Sequence, residues 1–199
     1  MKLLITGFEP FGAVKVSPSW EVAKHIALSP PNGVVVCAKL LPVSFERAGS
    51  VLLEAVNQFA PDVVIILGVA TQRAVISYER VAINIDESSK ADNDGKLCSG
   101  TPIRLNGPTA FFSNLPIKEM REATILAGIA AEVSNSAGTY VCNHTMYECL
   151  YHIDQSGLNI RAGFVYLPQF QANGPMGLDE MVKAISIALE TIIRNEQKN

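Results

Sequence analysis

The stretch SNSAGTYVCNHTMYECLYH, residues 134–152, contains the best candidate nucleophile of this chain. Small and polar residues come first, and a helix is predicted to begin beside Cys142. A thiol in the first turn of a helix faces unpaired N–H groups and the positive end of the helix dipole, which lower the thiol pKa. The sequence therefore predicts an activated nucleophile at Cys142. The alternative is a buried apolar thiol, which is the commoner fate of a free cysteine.

A nucleophilic cysteine needs a base, and the chain contains 3 histidines. His144 follows Cys142 by two positions, roughly 200° round a helix, so it is predicted to face away. His152 is predicted to lie about 15 Å further along the helix axis. His25 falls in another predicted helix and is interpreted as a surface or packing residue. None of these positions supplies the thiol with a base.

The first half of the chain alternates between strands and helices. Strands are predicted over 2–6, 33–41 and 63–69, and helices over 18–27 and 44–59. The third strand, VVIILGV, is continuously apolar, which is typical of a central strand covered on both faces. This order predicts an α/β fold with a mostly parallel sheet and helices on both sides.

The second half is predicted to continue the same sheet around a polar loop over 86–100. The carboxylates of this loop lack the spacing of a calcium-binding loop, so no metal ligand is predicted. A turn is predicted over 174–177 and a frayed tail over 195–199. The further predicted strands are 78–85, 103–105, 130–134 and 162–167, and the further helices are 116–127 and 178–194.

Length, composition and charge exclude several classes of protein. A chain of 199 residues with 48% hydrophobic and 18% charged residues is expected to fold as a single domain, residues 1–199. The net charge is 16 − 19 = −3 without a basic block, which argues against nucleic-acid binding. No apolar run reaches the roughly 18 residues of a membrane span, and the N-terminus is unlike a signal peptide. A cytoplasmic protein without membrane contact is expected.

The 4 cysteines contain no CxxC pair, which argues against a structural zinc site. Cys142 and Cys149 are predicted to be about 10 Å apart along one helix, too far for a disulfide. Reduced thiols are therefore expected.

Several motifs together resemble the pyroglutamyl-peptidase I (pyrrolidone-carboxylate peptidase) family along nearly the whole chain. TGFEPF at 6–11 and SPSWE at 17–21 resemble the start of that family, and ERVAINI at 79–85 resembles its acidic motif. SNSAGTYVCNH at 134–144 resembles its nucleophile motif. The resemblance implies a three-layer α/β/α sandwich with a mostly parallel, mixed central sheet. It also implies a cytoplasmic cysteine peptidase that removes N-terminal pyroglutamate from peptides, uses no metal or cofactor, and forms a homotetramer.

The same resemblance implies roles for individual residues. Cys142 would be the nucleophile, Glu79 the acidic member of a catalytic triad, and backbone N–H groups around Cys142 would hold the oxyanion. Aromatic side chains would form the walls of a pocket for the flat pyrrolidone ring. The implied substrate-binding positions are Phe8, Phe11, Val69 and Val141.

The chain departs from the family at the position of the triad histidine. The family pattern Phe-X-His-X-Pro is matched by FVYLP at 164–168, so Tyr166 occupies the histidine position. Tyrosine, with an ordinary pKa near 10, cannot serve as a resting base near neutral pH. The glutamine, arginine and asparagine that the family has elsewhere in the site are matched by Val69, Ser89 and Ser17.

Two main hypotheses follow. The first is a cysteine peptidase that is impaired because Tyr166 replaces the histidine. The alternative is a catalytically inactive homologue that acts as a binding or structural protein, in which Glu79 would hydrogen-bond Tyr166. A third hypothesis is a hydrolase of different specificity, indicated by the apolar Val69. Without an imidazolium neighbour, Cys142 is expected to alkylate with the pKa of an ordinary thiol.

Overall fold

The computed structural model describes residues 1–12, 14–169 and 176–196. In these residues the chain forms ten strands and five helices. The strands are β1 Lys2–Phe8, β2 Val35–Leu41, β3 Val63–Ala70, β4 Ile76–Glu79, β5 Val81–Ile83, β6 Asp86–Glu87, β7 Ser99–Thr101, β8 Ala110–Phe112, β9 Ala131–Ser134 and β10 Arg161–Pro168. The helices are α1 Pro18–Leu28, α2 Ala48–Phe59, α3 Ile117–Leu126, α4 Val141–Gln155 and α5 Leu178–Glu196.

Six of the strands form a central sheet in the order β2-β1-β3-β10-β4-β9. Neighbouring strands are parallel except for β10 and β4, which are antiparallel, and β4 is parallel to β9. The remaining strands form two small antiparallel pairs, β5 with β8 and β6 with β7. The central sheet is therefore mostly parallel and mixed, as expected from the sequence.

Helices cover both faces of this sheet, because its strands are apolar on both sides. The residues of α1, α3 and α5 pack on one face, around Leu3, Ile5 and Ile65. The residues of α2 and α4 pack on the other face, around Leu4 and Ile66. The architecture is a three-layer α/β/α sandwich, which confirms the predicted fold class. None of the helices that the structure describes is long and apolar enough to span a membrane.

The order of the strands creates a crevice at one end of the sheet. From β1 the chain passes through α1 to β2 on one side, and from β2 it passes through α2 to β3 on the other side of β1. In open α/β sheets, ligands bind outside the carboxyl ends of the strands where the order reverses in this way. The crevice of this protein is therefore expected beyond the carboxyl ends of β1 and β3.

Most predicted elements are present with small shifts at their ends. The helix predicted over 44–59 begins only at Ala48, because the Ser44 hydroxyl accepts hydrogen bonds from the N–H groups of Glu46 and Arg47. Such a side-chain turn competes with the helix. Ser17 occupies the N-cap position of α1, but its hydroxyl hydrogen-bonds the Ser19 hydroxyl and not the helix backbone.

Two predicted strands are wrong. The strand predicted over 78–85 is divided at Arg80, whose N–H donates to Ser134 while its carbonyl accepts from Ser113. The two halves belong to different sheets. The strand predicted over 103–105 is a turn, held by a hydrogen bond from the Gly107 N–H to the Arg104 carbonyl. The turn predicted over 174–177 and the tail over 195–199 lie partly outside the described residues.

Candidate active site

A cavity of about 190 Å³ lies beyond the carboxyl ends of β1 and β3. It is lined by every residue to which the sequence assigns a catalytic or substrate-binding role, except Glu79. The candidate residues in its lining are Phe8, Phe11, Val69, Val141, Cys142 and Tyr166. These residues come from β1 and its following loop, β3, β10 and the start of α4, so the fold brings together positions that are far apart in the sequence.

Cys142 is the second residue of α4, and Tyr140 is the N-cap residue. The thiol reaches the strand ends because Gly68 on β3 has no side chain. A Cβ atom at Gly68 would lie 3.3 Å from the Cys142 Sγ and would overlap the ring of Phe164. Gly68 is therefore required for the close approach of α4 to the sheet at this point. The predicted location of Cys142 in the first turn of a helix is confirmed.

The expected low pKa of Cys142 is not found. Burial raises the pKa of this thiol from 9.0 to about 11, and the negative charge of Glu79 acts in the same direction. The residue as a whole is only partly buried, but its thiol is enclosed by its neighbours. The start of α4 does not compensate, because the interaction of a charge with a helix dipole is worth about 0.3–1 kcal/mol.

Tyr166 hydrogen-bonds away from the thiol. Its hydroxyl donates to the backbone carbonyl of Ala137 at 2.8 Å. Because a carbonyl only accepts, this bond uses the single hydroxyl hydrogen of Tyr166. The Tyr166 hydroxyl also lies beside Cys142, where it acts to lower the pKa of the thiol, but burial raises that pKa by more. Burial also raises the pKa of Tyr166 well above its ordinary value, so the phenol is neutral.

Glu79 is fully buried next to the cavity and is paired with Arg73. The Arg73 Nη1 lies 2.5 Å from Glu79 Oε1, and its Nη2 donates to the carbonyl of Ser136 at 3.1 Å. The guanidinium also lies 4.7 Å from the centre of the Tyr166 ring. Glu79 therefore pairs with Arg73 and not with Tyr166, which corrects the hydrogen bond expected under the inactive-homologue hypothesis.

One oxygen of this carboxylate has no hydrogen-bond partner. Glu79 Oε2 is buried and unpaired, whereas Oε1 is bound to Arg73. Burial raises the pKa of Glu79, although the nearby Arg73 acts in the opposite direction. An unpaired buried acceptor is costly, and such groups are concentrated at functional sites.

Arg73 is the main residue of the site that sequence analysis missed. It ends the turn that follows β3, where its N–H donates to the Ala70 carbonyl, and its position six residues before Glu79 was the signal in the sequence. Its importance follows only from the fold, which places Glu79, Tyr166 and Ser136 around one guanidinium.

The three histidines are bound away from Cys142. His144 Nδ1 lies 2.8 Å from Asp86 Oδ2, and His152 Nε2 lies 3.3 Å from Asn57 Oδ1. His25 Nδ1 lies 2.9 Å from the carbonyl of Glu21 on α1. The prediction that His144 faces away from the thiol is confirmed, and each of the three histidines has its hydrogen-bond partner elsewhere.

Aromatic side chains form one wall of the cavity. Tyr140 lies between Phe11 and Phe45. The centre of its ring is 5.4 Å from that of Phe11 and 5.3 Å from that of Phe45, and its hydroxyl donates to the carbonyl of Ala91. Sequence analysis missed Tyr140, although it directly precedes the nucleophile helix. Ser89 lies in a separate groove on the far side of Phe11 and Tyr140.

The acidic loop has structural partners. The carboxylate of Asp92 accepts hydrogen bonds from the N–H groups of Phe45 and Lys96. Asp94 pairs with Arg47, and Asp86 pairs with His144. In the part of the chain that the structure describes, no group of three or more histidine, cysteine or acidic side chains is placed to hold a metal ion.

A cysteine at the start of a helix, facing a cavity at the strand ends of an α/β/α domain, is the framework of a thiol hydrolase. The family model described as pyroglutamyl peptidase matches residues 1–195. The chain therefore belongs to the pyroglutamyl peptidase family.

Relatives and solved structures agree with this assignment. The pyrrolidone-carboxylate peptidase of Streptococcus pneumoniae is 41% identical and is aligned over 100% of this chain and 96% of its own length. That of Thermosipho africanus is 44% identical over 98% of each chain. The crystal structure of pyroglutamyl peptidase I from Bacillus amyloliquefaciens superposes with a TM-score of 0.91 at 38% identity, covering 96% of each chain. A mutant pyrrolidone carboxyl peptidase from Pyrococcus furiosus gives 0.93 at 35% identity, covering 98% and 99%.

Proposed function

We propose that this chain is a cysteine peptidase of the pyroglutamyl type that turns over slowly because Cys142 lacks a base. Family membership and the cavity above Cys142 support the reaction class. The observation that carries the slow turnover is the hydrogen bond from Tyr166 to the Ala137 carbonyl. It places a neutral phenol beside the thiol, where a cysteine peptidase needs a base, and the oxygen of a neutral phenol is too weak an acceptor to take the thiol proton.

The proposed reaction begins with attack of the Cys142 Sγ on the carbonyl carbon of the N-terminal residue. The N–H groups of the first turn of α4 stabilise the resulting oxyanion. The carbon–nitrogen bond then breaks, the amine of the shortened peptide takes up a proton, and a thioester to Cys142 remains. Water hydrolyses this thioester and releases the free acid. In the absence of a base, the thiol proton must pass to solvent, which limits the first step.

Glu79 is proposed as the acidic member of a catalytic triad in which Tyr166 occupies the position of the histidine. Its unpaired Oε2 is the acceptor that would orient an imidazole at position 166. Arg73 occupies the other oxygen and stabilises the negative charge of the carboxylate. Glu79 Oε2 could therefore accept a hydrogen bond from a new donor while Arg73 stays bound to Oε1.

We infer that the substrates are peptides with an N-terminal pyroglutamyl residue, that the chain is a single domain, and that it acts as a cytoplasmic homotetramer. Light scattering coupled to size-exclusion chromatography tests the oligomeric state, and a monomer at micromolar concentration contradicts it.

Turnover of a fluorogenic pyroglutamyl amide by four proteins tests the proposed function. We expect the unaltered protein to be slow and Cys142→Ala to be inactive. Tyr166→His is expected to raise kcat/KM by at least 100-fold, because it restores a base next to the unpaired oxygen of Glu79. Tyr166→Phe is the matched control: it removes the hydroxyl without supplying a base, and we expect no comparable gain. Equal rates for Tyr166→His and Tyr166→Phe contradict the proposed defect.

The second candidate function is a non-catalytic binding protein. The raised pKa of Cys142 favours it, because a neutral thiol is a weak nucleophile. If the unaltered protein and Cys142→Ala both lack turnover but bind a pyroglutamyl dipeptide with the same affinity by calorimetry, the binding function is supported. Turnover that depends on Cys142 excludes it.

A further inference from the structure

Glu9 carries the one carboxylate among the described residues that line the cavity above Cys142. It directly follows β1, and its N–H donates to the carbonyl of Leu41 at 2.9 Å. Its Oε1 accepts the N–H of Val43 at 3.0 Å and a side-chain hydrogen of Asn93 at 2.8 Å. The backbone of Glu9 and one of its carboxylate oxygens are therefore fixed before a ligand enters the cavity.

The second carboxylate oxygen of Glu9 is available to a ligand. In the parts of the chain that the structure describes, Oε2 makes no hydrogen bond and Glu9 takes part in no ion pair. The two donors at Oε1 are neutral amides, so neither cancels the charge of the carboxylate. A carboxylate has about four acceptor positions, and the observed contacts occupy two of them. Oε2 therefore remains a strong acceptor at the cavity.

The other polar groups of the lining are mainly donors or are paired with each other. The first intrahelical hydrogen bond of α4 runs from the His144 N–H to the Tyr140 carbonyl, so the N–H groups before it have no intrahelical acceptor. The Ser17 and Ser19 hydroxyls hydrogen-bond each other at 2.9 Å. Val69 offers only methyl groups. The cavity thus combines donors at the start of α4 with a carboxylate acceptor at Glu9.

This combination is complementary to a lactam ring, which has one N–H donor and one carbonyl acceptor. When the ring leaves water, an N–H group without an acceptor is unfavourable. A hydrogen bond from an N–H group to an ionised carboxylate is roughly twice as strong as one between neutral groups. Glu9 Oε2 can supply this bond, and the N–H groups of α4 suit the oxygen atoms of the ligand.

We propose that Glu9 is a specificity-determining residue whose Oε2 accepts the ring N–H of the pyroglutamyl residue, and that Asn93 positions its carboxylate. This inference rests on the proposed function, in that the cavity is taken as the acyl site above Cys142. The hydrogen bond makes the ring N–H a feature that the site recognises. A ring of the same size and shape without that hydrogen is expected to bind less tightly.

Asn93 is suited to the positioning role because it contacts both chain segments that adjoin Glu9. Its side chain donates to Glu9 Oε1 and also to the carbonyl of Pro10 at 3.0 Å. Its backbone N–H donates to the carbonyl of Val43 at 2.9 Å. Asn93 therefore holds the carboxylate of Glu9 and the backbone on either side of it in one arrangement.

Isothermal titration calorimetry with two matched ligands tests this inference. Pyroglutamyl-alanine amide is compared with its γ-lactone analogue, in which a ring oxygen replaces the ring N–H. We expect the pyroglutamyl ligand to bind the unaltered protein at least tenfold more tightly, because the lactone oxygen is an acceptor that faces a second acceptor. Equal affinity overturns the inference but leaves the proposed function intact. If neither ligand binds, the acyl site itself is wrong, and both proposals fail.

Two variants locate this preference at Glu9. Glu9→Gln keeps an oxygen for the amides at Oε1 but replaces Oε2 by an NH2 group, so the two affinities should come within about twofold of each other. Glu87→Gln is the matched control, because it makes the same chemical change in the groove on the far side of Phe11 and Tyr140, and it should keep the original ratio. A ratio that is unchanged in Glu9→Gln overturns the role of Glu9. Should that variant fail to fold, Glu9→Asp, which shortens the side chain by one methylene, takes its place.

Asn93→Ala tests the positioning role. Loss of the amide frees the carboxylate of Glu9, and the preference for the pyroglutamyl ligand should fall by about threefold or more. A purely structural role of Asn93 would weaken the binding of both ligands equally and leave the ratio unchanged. An unchanged ratio therefore overturns the positioning role.

Discussion

Helix α4 carries a cysteine in two different surroundings. Cys142 lies in its first turn at the cavity, and Cys149 lies two turns later in the core. Burial raises the pKa of both thiols, to about 11 for Cys142 and to about 12 for Cys149. Only Cys142 has polar neighbours that act on its charge. The two thiols therefore differ less in ionisation than their positions on the helix would predict.

The comparison shows which effect dominates at the start of α4. Raising a thiol pKa from 9.0 to about 11 corresponds to about 3 kcal/mol against the thiolate. A helix dipole contributes about 0.3–1 kcal/mol in its favour. Burial therefore outweighs the helix dipole, and the position of Cys142 on the helix is not sufficient to activate it. Activation requires a cationic or basic partner, which Tyr166 does not provide.

The largest expected effect concerns the Arg73–Glu79 ion pair beside Cys142. Arg73→Met leaves Glu79 buried without its partner and is expected to destabilise the protein by about 3–5 kcal/mol at pH 7, measured by urea unfolding. Arg47→Met is the control, because its pair with Asp94 is exposed on both sides, and a far smaller loss is expected.

The same variant has an expected pH dependence. Burial raises the pKa of Glu79 in the folded protein, so the folded state binds a proton more readily than the unfolded chain. Stability from this group is present at low pH and is lost as the pH rises through the folded pKa. Protonation of Glu79 removes the uncompensated charge. The deficit of Arg73→Met should therefore shrink as the pH is lowered from 7 toward about 5. A deficit that does not change with pH contradicts this assignment.

The substitution Tyr166→His should make Cys142 and Cys149 differ in their reactivity. In Tyr166→His, an imidazolium held by Glu79 stabilises the Cys142 thiolate, and we expect iodoacetamide to modify Cys142 about 100-fold faster at pH 7. Cys149 is an internal control on the same helix, and its rate should change by less than about twofold. Mass spectrometry of the two modified peptides gives both rates in one experiment. Equal acceleration of both thiols indicates a loosened structure and contradicts the prediction.

The smallest expected effect is the loss of stability when either cysteine of α4 is replaced by alanine. Cys149→Ala leaves a space in the core between α4 and the sheet and should cost about 1–2 kcal/mol of unfolding free energy. Cys142→Ala removes a thiol at the edge of an existing cavity and should cost less than half as much. Thermal and urea unfolding of the two variants measure the difference. A larger loss for Cys142→Ala contradicts the view that its thiol is retained for the site rather than for packing.

The sequence predicts the fold and the local features of the site, because these depend on neighbouring residues. Apolar runs and their spacing predict the strands and helices of the central sheet, and the small residues before Cys142 predict its helix start. The split of the strand over 78–85 is not visible in its alternating pattern. It depends on Arg80 pairing with Ser134 and Ser113, which lie far along the chain.

The electrostatic state of the site could not be predicted from the sequence. The pKa of Cys142 depends on its burial and on Tyr166, Glu79 and Arg73, which the fold brings to the thiol from distant parts of the chain. The hydrogen bond from Tyr166 to Ala137 joins a strand to a loop 29 residues earlier. The motif resemblance predicts a departure from the family at Tyr166, and only the structure shows that its hydroxyl donates to the Ala137 carbonyl.

The most direct test of an unactivated Cys142 is the pH dependence of its alkylation in the unaltered protein. With the pKa near 11, the rate of modification by iodoacetamide should rise about tenfold for each pH unit from 7 to 10, without a plateau. The modified peptide that contains Cys142 is quantified at each pH, with circular dichroism to confirm that the fold is intact. A rate that reaches a plateau below about pH 8 would show an activated thiolate and contradict this account of the site.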